Sequence, residues 1–183
     1  PFALDDNWEV RFAPGWGAPE SIHFDRLVPW NTHENSQIKY FSGTATYRKT
    51  IELTAEQADG LLRLRLGKLG CIARVRLNGK EHGVVWTAPW TIDLTDAARQ
   101  GGNLLEIDVA NVWQNRLIGD AGLPEEQRRT KTNVILEEGE RTRRFRCSSV
   151  NTIDELTPSG LLGPVRLEFG EQKDVKLDEC REN

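Results

Sequence analysis

Apolar and polar residues alternate with a period of two in one short segment after another of this chain, and that alternation restricts the fold more than any other feature. In FSGTATYRKTIEL, residues 41–53, Phe41, Ala45, Tyr47, Ile51 and Leu53 fall on one side, while Ser42, Thr44, Thr46, Arg48, Thr50 and Glu52 fall on the other. Successive side chains of a strand point to opposite faces, so this period predicts a strand with one face buried. The same reading covers Trp8, Val10 and Phe12; Leu62, Leu64 and Leu66; Cys71, Ala73, Val75 and Leu77; Leu105, Ile107 and Val109; and Val165, Leu167 and Phe169. Between the third and fourth of these segments stands Asn78-Gly79, a pair that supplies the positive backbone angles of a tight hairpin turn. Short one-faced strands separated by turns predict antiparallel sheets packed face to face, an all-β sandwich. Helical signals are short. LTAEQADG (53–60), TDAARQGG (95–102, with terminating glycines Gly101 and Gly102) and PEEQRRT (124–130, with Pro124 at the first helical position) read as connectors across the sheet ends.

A length of 183 residues is enough for one domain with a sizeable core, and no Pro/Ser-rich linker, low-complexity run or solenoid repeat divides it. The net charge of -4, from 28 acidic and 24 basic residues, argues against a nucleic-acid partner. No run of about 18 apolar residues is present, so membrane insertion is not expected, and PFALDDNWEV lacks the regions of a signal peptide. The chain starts at Pro1 and contains no methionine, which reads as a fragment of something longer, with any targeting signal elsewhere. Cys71, Cys147 and Cys180 are widely spaced, with no CxxC and no histidine pair nearby, so zinc is not expected. They leave room for one disulfide, although Cys71 lies in an apolar alternation and reads as a small buried hydrophobe.

Local motifs offer no active site. A glycosidase needs two carboxylates about 5–10 Å apart, and no spacing here marks such a pair. His23, His33 and His82 stand in no HExxH or HxH pattern, no serine sits in G-x-S-x-G, and Gly15-Trp16-Gly17 is not followed by G-K-[ST]. The basic run Arg141, Arg143, Arg144 and Arg146 could face an anion. A solvated strand or hairpin with Phe145 packed inward is the preferred reading.

The tryptophans say more. Of six, Trp8 belongs to a strand core, while Trp86 and Trp90 bracket a proline-containing break and Trp113 follows a strand end. An indole face suits the C–H face of a sugar ring, and it also plugs the end of a sandwich. Beyond Trp113 come Asn115, Arg116 and Asp120, whose paired donors and acceptors can engage sugar hydroxyls or tie down a loop in an internal ion pair. The strand ending near Asn111 is expected to give way to a turn over one end of the sandwich, with Trp113 and the polar trio at the surface and Leu117 and Ile118 folded inward.

YFSGTATYRKTIEL, ARVRLNGKEHGVVWTAPWTIDLT, GGNLLEIDVANVWQNRLIGD and SGLLGPVRLEF resemble, in order and spacing, the galactose-binding-like jelly-roll module of family 2-type glycoside hydrolases. The likeness is strongest to the C-terminal β-sandwich of bacterial α-L-rhamnosidases of glycoside hydrolase family 106, and it runs roughly from Trp8 to Phe169. It implies a galactose-binding-like β-sandwich over residues 1–170 with short connecting helices, followed by a charged tail, 171–183. It also implies an accessory module without catalytic residues, since the carboxylates of such enzymes lie on a separate barrel. The partner would be a plant or microbial polysaccharide, with Trp86, Trp90, Trp113, Asn115, Arg116 and Asp120 as the contact residues, or else the parent enzyme's catalytic domain. A periplasmic or secreted setting goes with the resemblance. Jelly rolls of this type often hold calcium, but no D-x-[DN]-x-[DN]-G loop is present, and neither a metal nor a cofactor is expected.

Overall fold

Each alternating segment becomes a strand whose apolar side is buried. The computed structural model describes residues 1–131 and 155–170. In chain order the strands are β1 (Phe2–Ala3), β2 (Asp6–Phe12), β3 (Ser21–Arg26), β4 (Thr44–Leu53), β5 (Leu61–Arg65), β6 (Lys68–Leu69), β7 (Ile72–Leu77), β8 (Lys80–Val85), β9 (Thr91–Asp93), β10 (Gly101–Ala110), β11 (Leu161–Gly163) and β12 (Arg166–Gly170). Among the described residues three α-helices interrupt them: α1 (Ser36–Lys39), α2 (Ala55–Asp59) and α3 (Gln114–Ala121). A six-stranded antiparallel sheet, ordered β3-β2-β4-β10-β7-β8, faces a four-stranded one, β1-β12-β5-β9, with the pair β11-β6 beside them. This is the antiparallel β-sandwich that the alternation predicts.

The core lies between the sheets. Val10, Tyr47, Ile107, Val75 and Leu77 come from the larger sheet, and Leu62, Leu64 and Leu167 from the smaller one. Fully burying a Leu or Val side chain contributes about 1.5–3 kcal/mol, so this shared face, rather than any connector, holds the two sheets together. Its aromatic centre is Trp30, stacked on Tyr47 and edge-on to Phe41. Trp30 Nε1 donates to the Tyr47 hydroxyl at 2.7 Å, and Leu161 N donates to the same oxygen at 3.1 Å. Burial pushes the ionisation of Tyr47 far above the ordinary tyrosine range, against the opposing effect of its two hydrogen-bond donors, so the hydroxyl stays neutral.

The hairpin forms where expected: Asn78 (φ 52°) and Gly79 (φ 80°) join β7 to β8 with both central residues left-handed. Thr54 caps α2 in a reciprocal capping box with Gln57. Other expectations are corrected. Of 95–102 only Thr95–Ala97 is helical, as a single 3-10 turn, and Gly101 opens β10 rather than closing a helix. Pro124 precedes the 3-10 turn Glu125–Gln127 instead of starting it. Cys71 is half-buried at the mouth of β7, because the alternation that buries Ala73 and Val75 starts only at Ile72. The expected turn after Asn111 is a helix, α3. The basic run Arg141, Arg143, Arg144 and Arg146, with Phe145, Cys147 and Cys180, lies outside the described residues, as does 171–183.

The outer face of the large sheet carries a row of alternating charge. Glu9 stands opposite Arg48, Arg48 opposite Glu106, and Glu106 opposite Arg76, in register across four strands. Opposite charges placed directly across strands stabilise the pairing. Arg76 also forks onto Asp108, which accepts from Thr46 Oγ1 at 2.8 Å. Burial alone would raise the Asp108 carboxyl, but the hydrogen bonds from Arg76 and Thr46, with the Arg76 charge, outweigh it and hold the pKa below the usual carboxylate value. A folded-state pKa below the unfolded one contributes stability above the unfolded value of about 3.9, lost as pH falls through the folded value. Urea midpoints of the parent chain should therefore drop as the pH is lowered from about 5 into that acidic window. Asp108→Asn should be less stable at neutral pH and show a shallower acid dependence; an unchanged slope would contradict the assignment.

Candidate functional site

One end of the large sheet carries the two exposed tryptophans, Trp86 and Trp113. Ala73 pairs with Val85 on one side of β7, and Ile72 pairs with Ala110 on the other. Trp86 therefore leaves β8, and Val112 and Trp113 leave β10, on either side of the start of β7. Strands that flank a common neighbour lie roughly 10 Å apart. Val84 stands opposite Arg74 on the outer face, so it belongs to the same edge. Val84, Trp86, Val112 and Trp113 are all exposed, the indoles of Trp86 and Trp113 by 71% and 65%.

The loop that presents Trp86 is tightly made. Trp90 N donates to Thr87 O, and Trp90 O accepts from Leu66 N at 2.9 Å. Trp90 itself packs against the core and adopts φ 54°. A bulky residue in that left-handed region costs on the order of 1–3 kcal/mol and persists only where its surroundings determine it. Here the half-buried indole and the two backbone bonds do so. Trp90 is thus an anchor of the loop, and Trp86 is its presented face.

The polar trio is not at the surface. After Ala110 the strand stops because Asn111 turns inward: its Oδ1 accepts from Gly43 N at 2.9 Å and its Nδ2 donates to Phe41 O at 2.8 Å. Ser42 Oγ donates to Val112 O and accepts from Arg116 N, pinning the start of α3. Asn115, Arg116 and Asp120 are buried, while Leu117 and Ile118 are only half-buried, the reverse of the expected orientation. The reason lies in helical spacing. Residues 115, 116, 119 and 120 share one face of a helix, and Gly119 on that face lies so close to Tyr40 that a Cβ would sit 2.6 Å from the ring. The side chains on this face meet backbone that needs partners.

Asp120 Oδ2 accepts from Arg129 N at 3.1 Å, Thr130 N at 2.8 Å and Thr130 Oγ1 at 2.7 Å. Asn115 Nδ2 donates to Thr157 O at 2.8 Å and to Ser159 Oγ at 3.2 Å, and its Oδ1 accepts from Thr157 N at 2.8 Å and Thr157 Oγ1 at 3.1 Å. Gln114 Nε2 reaches Glu155 O. The underside of α3 therefore fastens two chain segments, 129–130 and 155–159. Between its fasteners, Arg116 and Asp120 approach to 2.9 Å as a buried ion pair. The contact is close but poorly aligned, for neither Arg116 Nε nor Asp120 Oδ1 has a hydrogen-bond partner among the described residues.

The structure thus brings Trp86 and Trp113 to one surface edge, sets Trp90 into the core margin, and places Asn115, Arg116 and Asp120 beneath α3. Reading by residue type missed the helix and its partners Thr130, Thr157 and Ser159. The spacing of Asn115, Arg116, Gly119 and Asp120 was the available signal. It also missed Val84 and Val112, whose exposure follows from strand parity. Among the described residues no three His, Cys, Asp or Glu side chains gather as a metal-binding group, and no helix is long and apolar enough to cross a membrane.

Comparison with known proteins agrees with this architecture. Residues 26–148 match the model of the glycosyl hydrolase 2 galactose-binding domain-like family. A putative beta-glucuronidase of Formosa agariphila is 38% identical over 179 residues, 91% of this chain but 15% of that protein. A solved rhamnosidase from Novosphingobium sp. PP1Y superposes with a TM-score of 0.76 at 40% identity, covering 90% of this chain and 14% of its own. A Ruminococcus gnavus beta-glucuronidase shares the fold, with a TM-score of 0.51 at 20% identity over 60% of this chain and 20% of its own. The chain spans about one seventh of the two more similar proteins. It belongs to the family of galactose-binding-like domains of glycoside hydrolases.

Proposed function

We propose that residues 1–170 form a non-catalytic accessory module of a larger glycoside hydrolase, and that the Trp86–Trp113 edge is its working surface, docking on another part of the same polypeptide. The observation that carries this reading is the make-up of the edge. Val84, Trp86, Val112 and Trp113 are each exposed where the register sets the ends of β8 and β10 beside the start of β7, while the adjacent polar groups of Asn111, Ser42, Asn115 and Asp120 are committed to internal hydrogen bonds. Contiguous apolar surface marks interfaces, whereas a sugar site joins an apolar platform to convergent polar groups that are free to bind. Relatives in which a domain of this kind makes up 14–15% of the polypeptide offer ample partner surface.

Polysaccharide recognition is the second reading, favoured by the exposure of the two indoles at 71% and 65%. Titration calorimetry of the 183-residue chain with oligosaccharides from plant and microbial polysaccharides separates the two. For docking, no sugar gives saturable heat, and Trp86→Ala and Trp113→Ala leave the melting of this chain unchanged while lowering that of the full-length gene product. For sugar binding, saturable heat appears and Trp113→Ala weakens it by about 1–3 kcal/mol. That outcome overturns docking.

A further inference from the structure

We infer that Asn115, Arg116 and Asp120 are positioning residues for Trp113, an inference that rests on the Trp86–Trp113 edge being the working surface. Trp113 is the residue from which α3 starts, and its side chain makes no capping hydrogen bond. Among the described residues its exposed indole has no polar anchor, so its place is set by the backbone on either side. On the preceding side Asn111 and Ser42 tie residues 111 and 112 to Phe41 and Gly43. On the following side Leu117 N donates to Trp113 O at 3.0 Å, making Trp113 part of the first turn of α3. The direction of the indole therefore follows the orientation of that helix.

What orients the helix is polar and directional. An amphipathic helix is ordinarily held by an apolar stripe, which tolerates sliding and rotation. The described residues buried on α3 are instead Asn115, Arg116 and Asp120. Burying polar groups is costly unless they are bonded, and a buried ion pair is weak evidence for stability in itself. Directional bonds do, however, admit one helix orientation. Asn115 engages Thr157 through both donor and acceptor, Asp120 receives three donors from Arg129 and Thr130, and the ion pair of Arg116 with Asp120 closes the face between them. Gly119 lets this face approach Tyr40 closely, where any side chain would collide. The polar residues beside the tryptophan thus act through it, without touching what it touches.

The test reads the indole of Trp113 in the free chain, so that its failure is separate from failure of the docking reading. In ¹H–¹⁵N spectra, assigned through Trp113→Phe, Asn115→Ala should shift and broaden the Trp113 indole resonance and change its quenching by iodide, leaving the buried Trp8 resonance in place. Leu62→Ala, in the other sheet, supplies a control of comparable melting loss and should leave Trp113 unmoved. If Asn115→Ala does not fold, Thr157→Val and Thr130→Val remove single hydroxyl bonds from the same clasp and should move the resonance in the same sense. A Trp113 signal unchanged in every folded variant, or moved equally by Leu62→Ala, overturns the inference. If the resonance moves but Trp113→Ala leaves the full-length product's melting unaltered, the docking reading fails and the positioning stands.

Discussion

Asp120→Ala should lower the unfolding free energy by about 3–5 kcal/mol, the scale of breaking a buried ion pair by removing one partner. Two losses coincide. The Arg116 guanidinium, with its side chain 7% exposed, is left without its counter-charge. The donors Arg129 N, Thr130 N and Thr130 Oγ1 lose their common acceptor. Each buried donor left unpaired costs roughly 1–3 kcal/mol, reduced where water can enter the gap. Asp120→Asn keeps the shape but removes the charge and should fall between the parent and Asp120→Ala. Removing both partners in Arg116→Ala/Asp120→Ala should cost less than the sum of the single changes, because the isolated charge is no longer buried. Urea denaturation of the four proteins measures this directly. A loss below about 1 kcal/mol for Asp120→Ala would place the pair in a water-filled gap, with the small worth of a surface ion pair.

Trp30→Ala should cost about 3–5 kcal/mol, in the range of large-to-small aromatic replacements in cores. Trp30 has no exposed surface and packs against Phe12, Phe41 and Tyr47. Its backbone N donates to Ser159 O, and a Cβ on Gly160 would stand 2.7 Å from its Nε1. The cavity therefore opens beneath residues 157–160, which also hold Asn115. Trp30→Phe refills most of the volume but strips the Nε1 donor from the Tyr47 hydroxyl, and should cost less. Thermal melts read with ¹⁵N indole spectra add a second check. Trp30→Ala should disturb Trp113 as well as lower the melting temperature, whereas a core change remote from that segment should only lower the melting temperature.

The sandwich was legible because its strands are half-buried, and half-burial writes a period of two into the residues. Val75, Ile107, Leu64 and Leu167 fall on the expected side because nothing but apolar packing decides their orientation. Asn78-Gly79 was legible for a local reason, since few residue pairs accept two consecutive left-handed conformations. β3 was not, since it is an edge strand in which only two apolar residues, Ile22 and Phe24, alternate with polar ones, too short a run to stand out. α3 inverted the usual rule. Its buried face is chosen by hydrogen bonds to residues outside the helix, Thr157 and Ser159 more than forty residues later and Arg129 and Thr130 beyond its C-terminus, and those partners cannot be read from the helical stretch itself. A polar helical face at 115, 116 and 120 is spelled the same whether it meets water, a sugar or the protein's own backbone. The exposed edge was half legible: Trp86 and Trp113 stood out as residue types, while Val84 and Val112 needed the register of β7 with its two neighbours.

The edge itself offers the most direct test. Hydroxyl-radical footprinting should compare oxidation of Trp86 and Trp113 in the 183-residue chain with that in the full-length gene product, with and without added oligosaccharide. Both indoles should oxidise readily in the chain alone, be protected in the longer polypeptide, and respond to no sugar. Equal oxidation of Trp86 and Trp113 in the two proteins, or protection that appears only when oligosaccharide is added, would contradict docking at this edge.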